Sequence, residues 1–412
     1  MAKYFDNQVL KFFLVFTLIF ISDESTLFVT NSNTSFVFFK YFFYIIITAV
    51  MLFYDLIMNK QQNVRIVYFS IFIVFISFAS MIANQDFTLG NVFRLFFFLY
   101  ALCFISRLSI EDFIYYFDQI MFPVALISII LFSCSFLFDD IFYFFPKIKN
   151  TLGLTYHTIG IYNVPAVFMG RNFGFCSEPG RYQALLLIGL LFQTSSFLKM
   201  KNYKVVVYII ALLTTLSTTG YTGLLLFIPL ICIKKINYDF RKIFFLIIPF
   251  VCFVILYYYT DLFSLEGRVF EKFTRVNYHD GDSTVSRLAS VFCNVKIALE
   301  HPVFGVGIQK IAEIFPIYSL EMFGASTKSN TNTILYLFAS FGFLYGMMFN
   351  FFFLFFSRIL FPRRMEALLA ASILVIVCCG ELFIYSGWLY VLMYYGAESF
   401  FVEKNCVYIR NK

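Results

Sequence analysis

Apolar runs long enough to cross a lipid bilayer recur from one end of the sequence to the other. Only 13% of the 412 residues are charged, whereas roughly 25% is usual in soluble domains. Hydrophobic residues make up 61%, so too few polar side chains remain to cover a water-exposed surface. This composition excludes a cytosolic globular enzyme, a disordered protein and a small disulfide scaffold. It predicts an all-α polytopic membrane protein, because spanning helices satisfy their own backbone hydrogen bonds.

A spanning helix needs about 20 mostly apolar residues, and about twelve segments approach that length. The two segments around 205–233 are short, because Gly220 interrupts the apolar run. The sequence has no linker or internal repeat, so one membrane domain, 1–412, is predicted. The predicted spans are 9–28, 35–57, 66–83, 92–106, 114–138, 182–198, 205–219, 221–233, 243–260, 332–356, 366–385 and 387–402.

Lysine and arginine are distributed asymmetrically among the predicted loops. If the N-terminus is inside, the inner loops contain cations such as Lys60, Lys199 and Arg363, while the short outer loops near 29–34 and 84–91 contain none. This pattern follows the positive-inside rule and predicts that both termini are cytoplasmic. The net charge of +7 is therefore interpreted as an orientation signal. No nucleic-acid partner is predicted.

Two outer segments, 139–181 and 261–331, are much longer than the other outer loops. They contain the remaining loop cations and all three histidines of the chain. In a sequence this poor in charge, that concentration predicts a functional site on the outer face. The alternative is that extramembrane loops are polar simply because they are wet.

The first long loop ends in a stretch that combines two arginines, a glutamate and several glycines. Glu178 directly precedes Pro179 and a predicted helix, where a carboxylate is favoured by the helix dipole. Glu178 is therefore either a capping acid or a site carboxylate that could accept a proton from a sugar hydroxyl. Arg171 and Arg181 flank it, and arginine binds phosphate oxygens in a bidentate manner. Arg181 is alternatively an anchor at the membrane interface.

The second long loop contains an apolar pattern with helical spacing from Ser286 to Glu300, which predicts an amphipathic outer helix. Arg287 falls in its predicted first turn, the unfavourable end for a cation. We therefore expect Arg287 to serve a ligand or a partner acid. His301 ends the helix, either as a cap for its last carbonyls or as a substrate contact.

Polar residues also occur within or between the predicted spans. The break at 216–223 is either a tight outer turn or the lining of a cavity. Arg94 and Glu381 lie near the outer ends of spans, where ionisable residues are rare and often functional. No metal-ligand cluster or phosphate-binding glycine loop is present in the sequence, so no metal and no cofactor are predicted. These features together predict a cationic outer pocket for an anionic lipid head group.

Three blocks of sequence, in their order and placement, resemble the O-antigen polymerase and O-antigen ligase superfamily of bacterial inner-membrane glycosyltransferases. The blocks are RNFGFCSEPGRYQALL (171–186), SRLASVFCNVKIALEHPVFGVG (286–307) and SNTNTILYLFASFGFLYG (329–346). The resemblance implies a GT-C-like fold that transfers a glycan from undecaprenyl pyrophosphate at the periplasmic face. It also implies a chain-length regulator protein as a partner.

The resemblance assigns roles to individual residues. Arg171 and Arg287 match the loop arginines of the family and are expected to bind pyrophosphate, together with Arg181 and Arg94. Glu178 matches the acid of the family's E-P-G block and joins the two loop arginines in the catalytic set. The expected substrate-binding residues are Tyr221, His301, Asn330 and Asn332.

Two departures from the ligase pattern favour the polymerase. Ligases usually carry an arginine in the serine-rich break, where this chain has Tyr221, and a His-Asn pair, where it has Thr331-Asn332. The identity of the general base is left open by this change. A flippase for lipid-linked oligosaccharides is the alternative from another class, although it needs no long outer loops. Whether Cys176 and Cys293 form a disulfide is also left open.

Overall fold

The computed structural model of the protein describes residues 8–29, 34–57, 63–138, 142, 144–149, 155–165, 170–234 and 283–410. Helix accounts for 76% of the structure, and the predicted all-helical polytopic membrane class is confirmed. The predicted span 243–260 and the first part of the second long loop, 261–282, lie outside the described residues.

Fifteen helices are present in the described part of the chain. Those before the first long loop are α1 (Gln8–Phe20), α2 (Thr26–Val29), α3 (Thr34–Ile57), α4 (Val64–Ala83), α5 (Leu89–Arg107) and α6 (Ile110–Leu137). The next are α7 (Pro179–Thr194), α8 (Asn202–Thr214) and α9 (Thr218–Lys234). The last are α10 (Ser283–Glu300), α11 (Ile308–Phe323), α12 (Thr333–Phe341), α13 (Phe343–Leu360), α14 (Arg364–Gly380) and α15 (Gly387–Arg410).

Five of these helices are long and apolar enough to cross a membrane by length and composition, namely α3, α4, α5, α6 and α13. Three shorter apolar helices, α1, α8 and α9, fall below that length. The predicted pair of short segments around 205–233 corresponds to α8 and α9. The number of about twelve spans stays a prediction.

The first long loop contains a small sheet that was not predicted. Three antiparallel strands, β1 (Lys147–Lys149), β2 (Thr155–Thr158) and β3 (Asn163–Pro165), pair in sequence order. The amide of Asn163 donates to the carbonyl of Gly174 at 2.8 Å. This bond attaches the sheet to the segment that carries Arg171 and Glu178.

The predicted span 332–356 is not one helix, because the structure divides it into α12 and α13 at Gly342, and only α13 is long and apolar enough to cross a membrane. Gly342 has a φ of 85°, and a Cβ atom at this position would overlap the carbonyl oxygen of Val303. Only glycine adopts this conformation without strain and leaves room for the neighbouring backbone. The break thus allows the end of α10 to pack directly on the bundle.

Aromatic side chains fill the core and join the last helix to the others. The ring of Tyr390 on α15 stacks on Phe97 of α5 with centroids 5.4 Å apart. The same ring meets Phe349 of α13 edge-on, also at 5.4 Å. Such aromatic pairs add roughly 0.5–1.5 kcal/mol each beyond the burial of their surface. Buried phenylalanines such as Phe97 and Phe349 therefore help to hold α15 in the bundle.

A buried ion pair fastens α6 to α8. Lys204 donates to the carboxylate of Asp118, and both side chains are almost fully buried. Gln193 Nε2 on α7 and the hydroxyl of Tyr208 also donate to Asp118 Oδ1, at 2.6 Å and 3.2 Å. A buried carboxylate needs a cation and hydrogen-bond donors for both of its oxygens, because burial of an unpaired ion is costly.

The segment after α1 contacts both the first long loop and the start of α15. Glu24 is fully buried, and its Oε1 accepts hydrogen bonds from the hydroxyl of Ser386 and from Trp388 Nε1, the latter at 3.0 Å. Its backbone carbonyl accepts from the amide of Ser177 at 2.9 Å. The connection α1–α2 is thereby joined to residues directly before Glu178 and to the start of α15.

Candidate active site

One cavity of 690 Å³ is enclosed by the end of the first long loop, the second long loop and the residues after α14. Its size lies within the range of roughly 300–1,000 Å³ that is common for small-molecule sites. Charged and hydroxyl side chains converge on it from segments far apart in the sequence. The polar and charged residues that line it are Arg171, Glu178, Arg181, Ser217, Ser286, Arg287, Ser326, Thr327, Lys328, Ser329, Asn330, Thr331, Tyr336 and Glu381.

The break between α8 and α9 fixes the orientation of two of these arginines. Arg171 Nε donates to the carbonyl of Thr215 at 3.0 Å, and Nη2 donates to that of Leu216 at 3.4 Å. Arg287 Nη1 donates to the hydroxyl of Thr218. Leu216 adopts a left-handed φ of 49°, which is uncommon for a residue other than glycine. The break therefore provides the hydrogen-bond acceptors that orient the guanidinium groups of Arg171 and Arg287.

Neither Arg171 nor Arg287 forms an ion pair with a carboxylate of the described residues. Burial lowers the pKa of both guanidinium groups, and the neighbouring charge of Arg287 adds to this effect on Arg171. Arginine nevertheless stays protonated, because its ordinary pKa is above 12. Two like charges beside one cavity form a site that attracts an anion.

Glu178 occupies the N-cap position of α7, but its side chain makes no capping hydrogen bond. The residue is exposed and lines the cavity. The sequence left two roles open for this residue, a capping acid and a site carboxylate. The side chain lines the cavity, whereas the backbone carbonyl of Glu178 accepts from the amides of Arg181 and Tyr182, each at 3.2 Å, so the carboxylate does not serve as the cap.

A second carboxyl group, Glu381, lies in the cavity and was not among the predicted site residues. It follows the last residue of α14 in an extended conformation, and its carbonyl accepts a hydrogen bond from Thr333 Oγ1 at 2.7 Å. Burial and the charge of Glu178 raise the pKa of Glu381 to about 8, whereas Arg181 and Arg287 lower it. The available signal was its position as an ionisable residue near the end of a predicted span.

Arg181 lines the cavity beside these carboxyl groups. Its Nη1 donates to the backbone carbonyl of Asp23, so the connection α1–α2 supports this side of the site. The predicted role of Arg181 as an interface anchor is not tested by this geometry. Its place in the cavity instead groups it with Arg171 and Arg287.

Helix α10 begins at Ser283, three residues before the predicted start. Arg287 is consequently not in the first turn, and the argument from the helix dipole does not apply to it. Its orientation instead comes from Thr218. The predicted amphipathic helix itself is present.

The predicted substrate-binding residues occupy different positions. Asn330 lines the cavity and exchanges two amide hydrogen bonds with Asn294, at 3.0 Å and 2.8 Å. Asn332 is the N-cap of α12, and its Oδ1 accepts from the amide of Leu335 at 3.0 Å. The hydroxyl of Tyr221 donates to the carbonyl of Leu213 at 2.9 Å. Neither Asn332 nor Tyr221 is part of the cavity lining.

Arg94 and His301 lie away from the cavity lining. Arg94 is completely buried, where it donates to Ser77, Asn91 and Tyr345 and lies 3.9 Å from the ring centroid of Phe341. This environment satisfies the guanidinium within the bundle. His301 is exposed at the end of α10.

The segment that contains Gly305 and Gly307, after His301, attaches the outer helices to α12 through backbone hydrogen bonds. The amides of Val306 and Gly307 donate to the carbonyls of Ala339 and Ser340, each at 3.0 Å. Asp86 Oδ2 accepts from the first amide of α11, that of Ile308, at 2.6 Å. The H-P-x-x-G-x-G part of the motif thus fixes the outer helices on the bundle, whereas its leading arginine reaches the cavity.

Cys176 and Cys293 are both free thiols in the structure, and both are buried. The sulfur of Cys293 lies 3.9 Å from that of Met322. Within the described residues, no group of three or more histidine, cysteine, aspartate or glutamate side chains is arranged to bind a metal ion.

Comparison with known proteins supports the resemblance that the motifs indicated. Residues 204–350 match the family model Wzy_C, described as O-antigen ligase. Neither a curated protein nor a solved structure matches the chain. The matched region contains the break that supports both arginines, as well as α10 to α12 and most of the cavity lining of the second loop. The chain is thus identified, over this region, as similar to the O-antigen polymerase and O-antigen ligase superfamily of membrane proteins.

Proposed function

We propose that the protein polymerises lipid-linked O-antigen repeat units at the periplasmic face of the bacterial inner membrane. In this reaction the growing glycan leaves its undecaprenyl pyrophosphate carrier and is transferred to a new lipid-linked repeat. The observation that carries the proposal is the convergence of Arg171 and Arg287, without a carboxylate partner among the described residues, on one cavity with two carboxyl groups. No metal or cofactor is part of the proposed reaction.

The two arginines would stabilise the leaving group. When the anomeric bond to oxygen breaks, its electron pair moves to the pyrophosphate, and negative charge develops there. Arginines that are already oriented stabilise this charge without further reorganisation, and such electrostatic stabilisation is usually the main source of an enzyme's rate enhancement. Arg181 lies in the same cavity and would extend the clamp. Arg94 forms part of this proposal only as a buried support, because it does not line the cavity.

An acidic side chain of the cavity would accept the proton of the attacking sugar hydroxyl. Glu178, which the sequence places in this role, faces the cavity without a capping bond. Asn330 and the hydroxyl groups of Ser326 to Thr331 offer hydrogen bonds to sugar hydroxyls. Together these groups supply the parts of a glycosyl transfer site.

O-antigen ligase is the second candidate function, because the matching family model bears that description. The polymerase is favoured by Tyr221 and Thr331, which stand where ligases usually carry an arginine and a histidine. Tyr221 is bonded to the α8 carbonyl of Leu213, and Thr331 is bonded to Ser290, so neither supplies a cation or a base to the cavity. The cation next to the break is Arg171 from the first long loop, which donates a hydrogen bond to the carbonyl of Thr215.

A gel of lipopolysaccharide from a strain lacking this chain tests the proposal. We expect the ladder to disappear, with core plus one repeat remaining. Complete loss of O-antigen with polymer on its lipid carrier in the periplasm would indicate the ligase. Single repeats trapped on the cytoplasmic side would indicate a flippase, and an unchanged ladder would contradict all three functions.

The proposal includes the arrangement in the membrane and the partners. Both termini would be cytoplasmic, and the cavity would be periplasmic, where lipid-linked repeats are available. The undecaprenyl chain would lie among membrane lipids beside the helices. A chain-length regulator protein would bind the enzyme, as the family resemblance implies.

A further inference from the structure

We propose that Glu381 is the general base of the transfer and that Glu178 is its positioning partner. This inference rests on the proposed function, since it names the group that accepts the proton in that reaction. It adds a residue from the end of α14, outside the region that matches the family model.

The two carboxyl groups both line the cavity wall, Glu178 directly before α7 and Glu381 directly after α14. Burial, and after it the negative charge of Glu178, raises the pKa of Glu381 and so favours its protonated form. Glu178 is exposed, whereas Glu381 lies deeper, with only part of its surface accessible. The inner member of such a pair is shielded from solvent and is therefore the more basic group.

Backbone geometry directs the side chain of Glu381 into the cavity. Thr333 Oγ1 donates to its carbonyl at 2.7 Å and accepts from the amide of Phe383 at 2.9 Å. These two bonds fix the residues after α14 relative to α12. Gly180, at the start of α7, lacks the Cβ atom that would otherwise overlap Glu381 Oε1. The carboxyl group consequently lies against the first turn of α7, in the cavity that the arginines also line.

Burial is the main cause of the raised pKa of Glu381, and neighbouring ionisable groups modify it. Arg181 and Arg287 favour the ionised form, and Glu178 opposes it. At pH 7, a carboxyl group with a pKa of about 8 is ionised in about one tenth of the molecules. A base is most effective when its pKa lies near the working pH, which this group achieves. The remaining ionisable groups of the cavity are Arg171, Lys328 and Tyr336.

Two bonds form and two bonds break in the proposed step. Ionised Glu381 takes the proton of the acceptor hydroxyl, and the hydroxyl oxygen forms a bond to the anomeric carbon of the growing glycan. The anomeric bond to the pyrophosphate oxygen breaks, and its electron pair leaves with undecaprenyl pyrophosphate. Arg171 and Arg287 compensate the new charge, and Glu381 releases its proton to water before the next cycle.

The experiment uses the full-length protein in lipid nanodiscs. The substrate is the lipid-linked repeat extracted from a strain that lacks this chain, and undecaprenyl pyrophosphate is the binding probe. Transfer rates are measured between about pH 6 and pH 9, so that the ionisation of the base is covered. The variants are Glu381→Gln, Glu381→Asp and Glu178→Gln, with Glu313→Gln as a matched control on an exposed face of α11.

We expect the wild-type rate to rise with pH and to level off above about pH 8. Glu381→Gln should reduce transfer about 100-fold or more, as expected for loss of a general base, while probe binding changes by less than about threefold. Glu381→Asp should keep the pH dependence at a reduced rate. Glu178→Gln should move the rise to lower pH, because it removes the neighbouring charge. Glu313→Gln should behave as wild type.

A Glu381→Gln protein with more than about one third of the wild-type rate, or with an unchanged pH profile, would overturn the assignment of the base. So would a Glu381→Asp protein that is well folded and lacks a pH-dependent rate. Wild-type protein that neither binds undecaprenyl pyrophosphate nor extends the glycan would refute the proposed function itself. Normal probe binding separates the first two results from the third.

Discussion

The carboxyl group of Glu381 lies against the backbone of Gly180, in the space that a Cβ atom at this glycine would occupy. Gly180 has an ordinary helical position in the first turn of α7, so its conformation does not require glycine. The requirement comes from the neighbouring carboxyl group. A helix start and a helix end, separated by about half of the chain, are therefore matched at this point.

Gly180→Ala is expected to reduce activity without unfolding the protein. The new methyl group would meet only the flexible end of the Glu381 side chain, which can rotate away at low cost. Displacement of the carboxyl group should lower the transfer rate by about 10-fold or more, since general bases depend on hydrogen-bond geometry. Transfer assays and size-exclusion profiles measure the two effects. A loss of folded protein would show that the contact is structural.

Arg171→Ala and Arg287→Ala are each expected to abolish polymer while the protein stays inserted. Removal of one oriented donor to a developing charge typically costs about 100-fold to 1,000-fold in rate. Arg171→Lys should restore little, because lysine cannot bond the carbonyls of Thr215 and Leu216 with the same planar group. Lipopolysaccharide gels and membrane immunoblots provide the readouts. Wild-type chain lengths in both alanine variants would contradict the pyrophosphate clamp.

Thr218→Ala is expected to weaken the site through Arg287. The hydroxyl of Thr218 is the observed acceptor for Arg287 Nη1, and a hydrogen bond to a charged group contributes about 1.5–3 kcal/mol. Transfer efficiency should therefore fall by about 10-fold or more. Thr222→Ala is the control, because its hydroxyl donates to the carbonyl of Thr218 one turn earlier at 3.0 Å. Equal losses of activity in the two variants would contradict a specific role of Thr218 in orienting Arg287.

Gly342→Ala is expected to destabilise the protein far more than Gly324→Ala. Both glycines have a positive φ, 85° and 67°, so both alanines would be strained by about 1 kcal/mol or more. A Cβ atom at Gly342 would also overlap the carbonyl of Val303, whereas nothing lies within 4 Å of one at Gly324. The difference between the two thermal unfolding midpoints in detergent isolates the backbone contact. Similar midpoints would show that α10 can move from α12.

Stability is expected to fall as pH rises through the titration of Glu381. Its pKa is about 8 in the folded protein and has the ordinary value of 4.5 in the unfolded chain, so the folded state binds the proton more tightly. The free energy of unfolding should therefore decrease between about pH 4.5 and pH 8 through this group. Thermal unfolding of wild type and Glu381→Gln at several pH values measures the difference. As pH rises, the unfolding midpoint of Glu381→Gln should increase relative to that of wild type. A difference between the two midpoints that does not change with pH would contradict the raised pKa of Glu381.

The sequence predicts the membrane class and the grouping of the loop arginines more successfully than the details of their support. Apolar run length identifies helices, and Arg171, Glu178, Arg181, Arg287 and Asn330 do line one cavity. The acceptors of Arg171 are the backbone carbonyls of Thr215 and Leu216, which carry no side-chain signal. Long-range contacts of this kind depend on tertiary packing rather than on local pattern.

Two other features were beyond local prediction for the same reason. The break at Gly342 lies in an apolar run that reads as one helix, and its cause is the backbone of Val303 from another segment. Arg94 resembles a site residue in sequence, yet Ser77, Asn91 and Tyr345 satisfy it inside the bundle. An ionisable residue in an apolar helix indicates a need for partners, and only the fold reveals which partners it has.

The connection between α1 and α2 supports Arg181 through Asp23, and Glu24 binds the start of α15. The connection α1–α2 and the residues around the start of α15 thus support the wall of the cavity from behind, without lining it. During synthesis, Glu381 is translated after all the arginines of the cavity, and the supporting residues Ser386 and Trp388 follow it. The cavity of a nascent chain would therefore stay incomplete after Arg171, Arg181 and Arg287 have been synthesised. Closure of the cavity would therefore wait until α14 and the residues that follow it have been inserted.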